Sequence, residues 1–222
     1  MQLLPVKQED APTTSPLAKV GAFVAVLAVL TVGVFAMGRL ADNDQVAMLL
    51  TAAWFGGVLL VGYLIVRRRR DLWLPLGVGF ALSSIAVTVL VGLPTLIDRT
   101  VDEQVVTAEE VGVQEVATGQ FAPIAHPGQG TATILANPDG TSVLTLTGFE
   151  TDPGPDLRVY LAEGDPATGA ELGEFVDLGA LKGNVGDQQY VIGADVDLSR
   201  LTSVVIWCRA FEVGFTSAIV TA

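Results

Sequence analysis

The chain has 222 residues, half of them hydrophobic, and a net charge of −12 that is spread unevenly. Residues 98–222 carry five Lys/Arg against nineteen Asp/Glu, a net of −14, whereas residues 1–97 are net +2. So acidic a C-terminal half repels nucleic acid and anionic headgroups, which excludes both as its partners. The single cysteine, with no CxxC or CxxCH, excludes an intrachain disulfide, a zinc ribbon, a thioredoxin-like motif and c-type haem attachment.

Met1 to Pro16 is short and polar, with Pro5, Pro12 and Pro16, and reads as a flexible tail. Residues 17–97 read as a three-helix membrane anchor. Val20 to Met37 runs without a charge between Lys19 and Arg39 and is long enough to span the ~30 Å hydrocarbon core at ~1.5 Å per residue. A cleaved signal peptide would have a shorter apolar region followed by a small-residue cleavage site, and none follows. Arg39 to Gln45 is a polar turn, Val46 to Val66 a second uncharged run, and Leu72 to Ile97 a third, with Pro75 and Pro94 near its ends. The four arginines Arg67 to Arg70 lie between the second and third runs.

Four arginines in a short loop stay cytoplasmic. The expected topology is therefore a multi-pass cell-membrane protein with its N-terminus inside and everything after Ile97 outside. Anionic-lipid recognition by the same arginines is the sharper alternative. The apolar runs contain no Asp, Glu, Lys, Arg or His, which argues against a transporter, a pump or a haem-binding helical bundle. Small residues four apart (Gly21 and Ala25, Ala53 and Gly57, Gly77 and Ala81, Gly79 and Ser83) allow close helix packing within a bundle or in a homodimer.

Residues 98–118 carry six acidic side chains, one arginine and no aromatic, and read as an acidic stalk, either extended or continuing the third helix. Residues 119–222 change to short apolar runs between turn signals. Strands are expected at Thr131–Ala136, Ser142–Phe149, Leu157–Ala162, Glu174–Leu178, Gln188–Ile192, Ser203–Ala210 and Val213–Val220. Seven or so short strands without helical periodicity predict an all-β antiparallel sandwich. The fold class is thus mixed, three transmembrane α-helices followed by that β domain.

The strongest strand signal is LTSVVIWCRAF at Leu201 to Phe211. Alternation puts Val204, Ile206, Cys208 and Ala210 on one face, and Val205, Trp207, Arg209 and Phe211 on the other. Cys208 then reads either as a core thiol acting as a small hydrophobe or as a reactive group. His126, the only histidine, lies in Ala125-His126-Pro127-Gly128 and reads as a solvent-exposed loop residue. One histidine and one cysteine cannot make a blue-copper site in one chain, and hydrolase chemistry is unsupported. Asp152, Asp156, Asp165, Asp177, Asp187, Asp195 and Asp197 fall near turns, but no spacing matches a calcium loop, so no metal site is expected. GNVG at 183–186 lacks the ending of a phosphate loop.

Several segments together resemble the DM-thirteen domain, an extracytoplasmic β module. They are Gly130 to Ile134, Gly154 to Leu161, Val176 to Gly179, Leu181 to Tyr190, Asp197 to Ser199, and Val204 to Cys208, in matching order across about 120–220. The resemblance implies a redox or electron-transfer module. Cys208, in the Trp-Cys pair, would be its working group, either as a bare thiol or as ligand to a prosthetic group such as haem. Cys208 or His126 could supply one axial haem ligand, with no evident second. The expected partners are the lipid bilayer and a redox or protein partner outside the cytoplasm. The alternative function is a non-redox, surface-displayed binding module, and a calcium-dependent adhesion module stands third.

Overall fold

The computed structural model describes residues 14–40, 44–109, 112–164, 167 and 172–221. The tail at 1–13, residues 41–43 of the first polar turn, and Asp165 lie outside these residues.

Three stretches are long and apolar enough to cross a membrane: Pro16–Arg39, Val46–Arg68 and Arg70–Thr95. The first two belong to helices α1 (Pro16–Arg39) and α2 (Asp44–Arg68). The third contains α3 (Trp73–Val87), followed by a π turn over Thr88–Gly92 and a 3-10 turn over Leu93–Thr95. Ser15 caps α1 by accepting the Ala18 N–H, and Pro16 supplies a fixed φ at the first helical position.

Small residues seat the helices. Trp54 of α2 lies over Gly33 of α1 and donates its indole N–H to the Val29 carbonyl at 3.3 Å. Gly79 of α3 faces Phe23 and Val26 of α1, and the buried Ser83 hydroxyl donates to the Gly79 carbonyl at 2.9 Å. Of the small pairs expected to pack, Gly79 with Ser83 does so, while Gly21, Gly57 and Gly77 have open space where a side chain would stand.

The second unit is an eight-stranded antiparallel sheet, a nearly closed sandwich. Its strands are β1 (Gln114–Pro123), β2 (Gly128–Ala136), β3 (Ser142–Thr151), β4 (Leu157–Ala162), β5 (Phe175–Ala180), β6 (Gln188–Ile192), β7 (Ser203–Cys208) and β8 (Val213–Ile219). Their order in space is β5-β4-β7-β8-β1-β2-β3-β6. β1 joins the two halves: residues 114–120 pair with β2, and Phe121 to Pro123 pair with β8. The core between the halves holds Ile134, Leu144, Leu146, Phe149, Leu161 and Ile206, each about 1% exposed or less. Phe121 meets Phe149 edge to face at 4.9 Å between ring centroids.

Two features differ from the sequence expectation, and both lie in the acidic stretch 98–118. β1 begins inside it, at Gln114. Ahead of β1, residues 98–106 are an extended strap lying against the domain. Val101 N–H donates to the Val185 carbonyl, Glu103 N–H to the Asp187 carbonyl, and Val106 N–H to Gln189 Oε1. The Asn184 side chain holds the strap's first turn, accepting the Arg99 N–H at 2.7 Å and donating to Asp98 at 2.8 Å. Lys182 grips Glu103 through both carboxylate oxygens at 2.8 Å. The acidic character that suggested a solvated stalk is partly matched here by side chains and amides some 80 residues later in the chain.

Candidate functional site

Cys208 is the last residue of β7 and is wholly buried. In the ladders it stands opposite Leu157 of β4 and Val213 of β8. The expected alternation holds: Val204, Ile206 and Cys208 belong to the main core. Val205 and Trp207 belong to a smaller cluster on the outer face with Tyr160, Ala162 and Ile124. That outer face is itself covered, and the half-exposed Phe175 stacks on Tyr160 at 4.5 Å. β7 ends at Cys208, so the pattern stops there. Phe211, expected on the outer face, packs against the main core instead, because residues 209–212 form a tight turn with Glu212 at φ 58°.

Burial pushes the Cys208 thiol above its ordinary value. The backbone amides of Phe211, Asp156 and Ala210, which face the sulfur, pull the other way without overcoming burial. Arg209 gives the thiol no counter-charge, since its guanidinium is spent on Asp156 at 2.8 Å. Its backbone N–H also donates to the Asp156 carbonyl at 3.0 Å, locking the β7–β8 turn to the start of β4. A neutral, enclosed thiol is a poor nucleophile.

A cavity of about 210 Å³ opens beyond that lock, lined by Arg99, Pro153, Asp156, Leu157, Leu181 and Asn184. Leu157 and Asp156 thus face the cavity on one side and neighbour Cys208 on the other. The strap contributes Arg99 to its rim. This volume is below the ~300–1,000 Å³ of ordinary cofactor pockets, and the sulfur itself sits in packed core. Cys208 in this arrangement does not fit haem ligation.

His126 lies in the bend between β1 and β2, but it is not solvent-exposed as expected: its side chain is 13% exposed. The imidazole stacks on Phe215 at 3.8 Å, and Nδ1 lies 3.0 Å from Asp152 Oδ2. Its backbone N–H donates to the Phe215 carbonyl, so the ring is fixed from both ends. Phe215 belongs to the same core as Cys208. No sequence pattern announces this placement, because Asp152 and Phe215 are 26 and 89 residues away.

Of the turn aspartates, Asp152, Asp156, Asp177, Asp187 and Asp197 are each occupied individually. Asp177 forms a bidentate pair with Arg158, at 3.1 Å to Nε and 2.7 Å to Nη2. Burial raises the Asp177 pKa, but the hydrogen bonds from Arg158 and the Gly179 amide outweigh it and hold the carboxyl low. Asp187 accepts the Gly148 N–H, Asp197 accepts the Ser199 N–H and hydroxyl, and Asp152 faces His126. Among the described residues no group of three or more His, Cys, Asp and Glu comes together.

The segment Leu181 to Tyr190 does what its sequence did not reveal. Gln188, fully buried, donates to the Gly183 carbonyl and accepts the Tyr190 hydroxyl at 2.7 Å. Burial pushes the Tyr190 pKa up to about 12, so it remains a donor. This turn, glycines included, is the receptacle for the strap.

Residues 120–220 match the family model described as Electron transfer DM13. The match covers the span over which the sequence resembles the DM-thirteen domain. No curated protein and no solved structure matches the chain.

Proposed function

We propose that this chain, whose β domain matches the Electron transfer DM13 family, is a membrane-anchored redox module with the β domain outside the cytoplasm and Cys208 as its redox group. The carrying observation is the family match over 120–220, which spans Cys208 in the Trp-Cys pair. Three backbone amides facing the sulfur support it, since they would stabilise negative charge developing there. A chain with one cysteine gives up one electron and one proton per thiol. Two chains would give two of each on forming an intermolecular disulfide. The disulfide route needs the turn at 209–212 to open, because the thiol is enclosed.

The test is a redox titration of the purified full chain beside Cys208→Ser. Loss of the couple in a variant that keeps its near-ultraviolet dichroism is the expected result. A couple that persists without the thiol removes Cys208 from the role.

The outside location rests on the arginines at 67–70. Val191, 73% exposed on β6, gives a handle for it. In a Cys208→Ser background, Val191→Cys is expected to react with an impermeant maleimide on intact cells. Labelling only after lysis reverses the orientation.

A second reading, a binding module without redox chemistry, draws on the complete burial and raised pKa of the thiol. It predicts that native Cys208 resists both oxidation and labelling, and that the fold tolerates Cys208→Ala with a small loss of stability.

A further inference from the structure

We propose that the cleft between the C-terminal end of α2 and the start of α3 binds the anionic phosphate-ester headgroup of a membrane phospholipid. The cleft has a volume of about 500 Å³ and is lined by Tyr63, Val66 and Arg67 of α2 with Arg70 and Trp73 at the entry to α3. That size lies within the range of small-ligand pockets. The Arg67 guanidinium stands 5.7 Å from the centroid of the Tyr63 ring, within cation–π reach.

The charge at this site has no internal answer. Among the described residues, none of Arg67, Arg68, Arg69 and Arg70 has a carboxylate within salt-bridge distance. The one acid in the loop, Asp71, is turned toward α1: it accepts the Thr14 N–H at 2.7 Å and lies 3.9 Å from Lys19 Nζ. Two guanidiniums therefore line the cleft with no carboxylate partner among the described residues, and a guanidinium fork fits phosphate oxygens bidentately. The rings of Tyr63 and Trp73 and the Val66 side chain form the apolar wall that the glycerol and first acyl methylenes need. Tyr and Trp favour that depth in a bilayer.

Topology alone accounts for four positive charges in this loop. It does not account for two of them, and only two, lining a cleft with interfacial aromatics; Arg68 and Arg69 are not part of its lining. That difference is what the test uses. The full chain, purified in a nonionic detergent, is titrated separately with phosphatidylglycerol, phosphatidylcholine and inorganic phosphate, and bound ligand is counted by native mass spectrometry. The expected result is retention of phosphatidylglycerol over phosphatidylcholine, and a roughly thirtyfold weakening in the Arg67→Gln, Arg70→Gln double variant, from the loss of charge-assisted hydrogen bonds to the phosphate. Arg68→Gln with Arg69→Gln, which removes the same charge beside the cleft, is expected to change affinity by less than about threefold, since exposed charges act weakly at a distance. Equal losses in the two double variants overturn the site in favour of diffuse attraction, as does equal binding of the two lipids. Displacement of the lipid by millimolar inorganic phosphate overturns the headgroup assignment in favour of a soluble anion.

Discussion

In α2, Leu59, Leu60 and Val61 each expose more than half of their surface, whereas in β7 Val204, Val205 and Ile206 expose none, although the two runs are equally apolar. The β domain closes around its core because water drives apolar surface inward. The helices leave theirs facing out, as expected of segments long and apolar enough to cross a membrane, since lipid tails as apolar as leucine would give nothing to drive them in. What remains to join the helices is fit, and the buried positions there are few: Leu30, Gly33 and Val34 in α1, with Gly33 under Trp54, and Gly79 and Ser83 in α3. Similar residues thus serve as solvent-facing coat in one region and as structural filling in the other.

The largest expected effect sharpens this contrast. Phe149→Ala removes a side chain buried between the halves of the sheet, and about 3–5 kcal/mol of β-domain stability should go with it. Leu60→Ala in α2 should change unfolding in detergent by no more than about 0.5 kcal/mol, as for other solvent-facing positions. Chemical unfolding of the full chain, followed by dichroism and fluorescence, measures both. A comparable cost for Leu60→Ala would break the comparison by showing a protein contact where lipid is expected.

A second, intermediate effect concerns the strap. Gly186 sits at φ +106°, and a Cβ there would collide with the Val101 carbonyl. Gly186→Ala should therefore cost about 1–3 kcal/mol in local strain and lift residues 98–106 from the domain. Hydrogen exchange reads this directly: the Val101 and Glu103 amides should lose protection while β7 amides keep theirs. Unchanged protection at Val101 would mean the strap tolerates the displacement.

The smallest effect is electrostatic. The hydrogen bond from Lys182 is the chief cause holding the Glu103 carboxyl below its ordinary 4.5; burial opposes it and the Gln189 amide adds to it. A carboxyl with a folded pKa below its unfolded one stabilises the fold above the unfolded value and loses that contribution as pH falls through the folded one. Glu103→Gln should lower the melting temperature slightly at pH 7, by the equivalent of about 0.2–1 kcal/mol for a surface pair. The gap should close as pH falls below the ordinary 4.5 and on through the lowered folded value. A gap that persists in acid would assign the effect to packing rather than charge.

The helices were legible in the sequence because three long, uncharged apolar runs mark them, a signal that is local. Most strands were legible because turns such as Asn137-Pro138-Asp139-Gly140 punctuate them. β1 was not, since its residues are mostly exposed or half-buried apart from Phe121, and it shows no clean alternation. The strap was invisible for a different reason: its hydrogen-bond partners lie within residues 182–189, and no short-range pattern encodes them. For the candidate site, alternation put Cys208 on one face with Val204 and Ile206, and that face is the one that forms the core. The turn that redirects Phe211 and the seating of His126 between Asp152 and Phe215 depend on tertiary contacts that periodicity cannot express.

The strand order also governs when the sheet can be finished. β8, the last of the eight strands in chain order, lies between β7 and β1 in the middle of the sheet. Until it arrives, the β1–β2–β3–β6 ribbon and the β5–β4–β7 ribbon have no backbone ladder between them, and each presents a bare edge. Pairing of this kind spans nearly a hundred residues, from Phe121 to Ala218, and such closures are slow. The domain therefore acquires its continuous sheet only once β8 has paired on both sides. A chain interrupted before Val213 would leave two sticky half-sheets, candidates for aggregation and quality control rather than a smaller working version of the same protein.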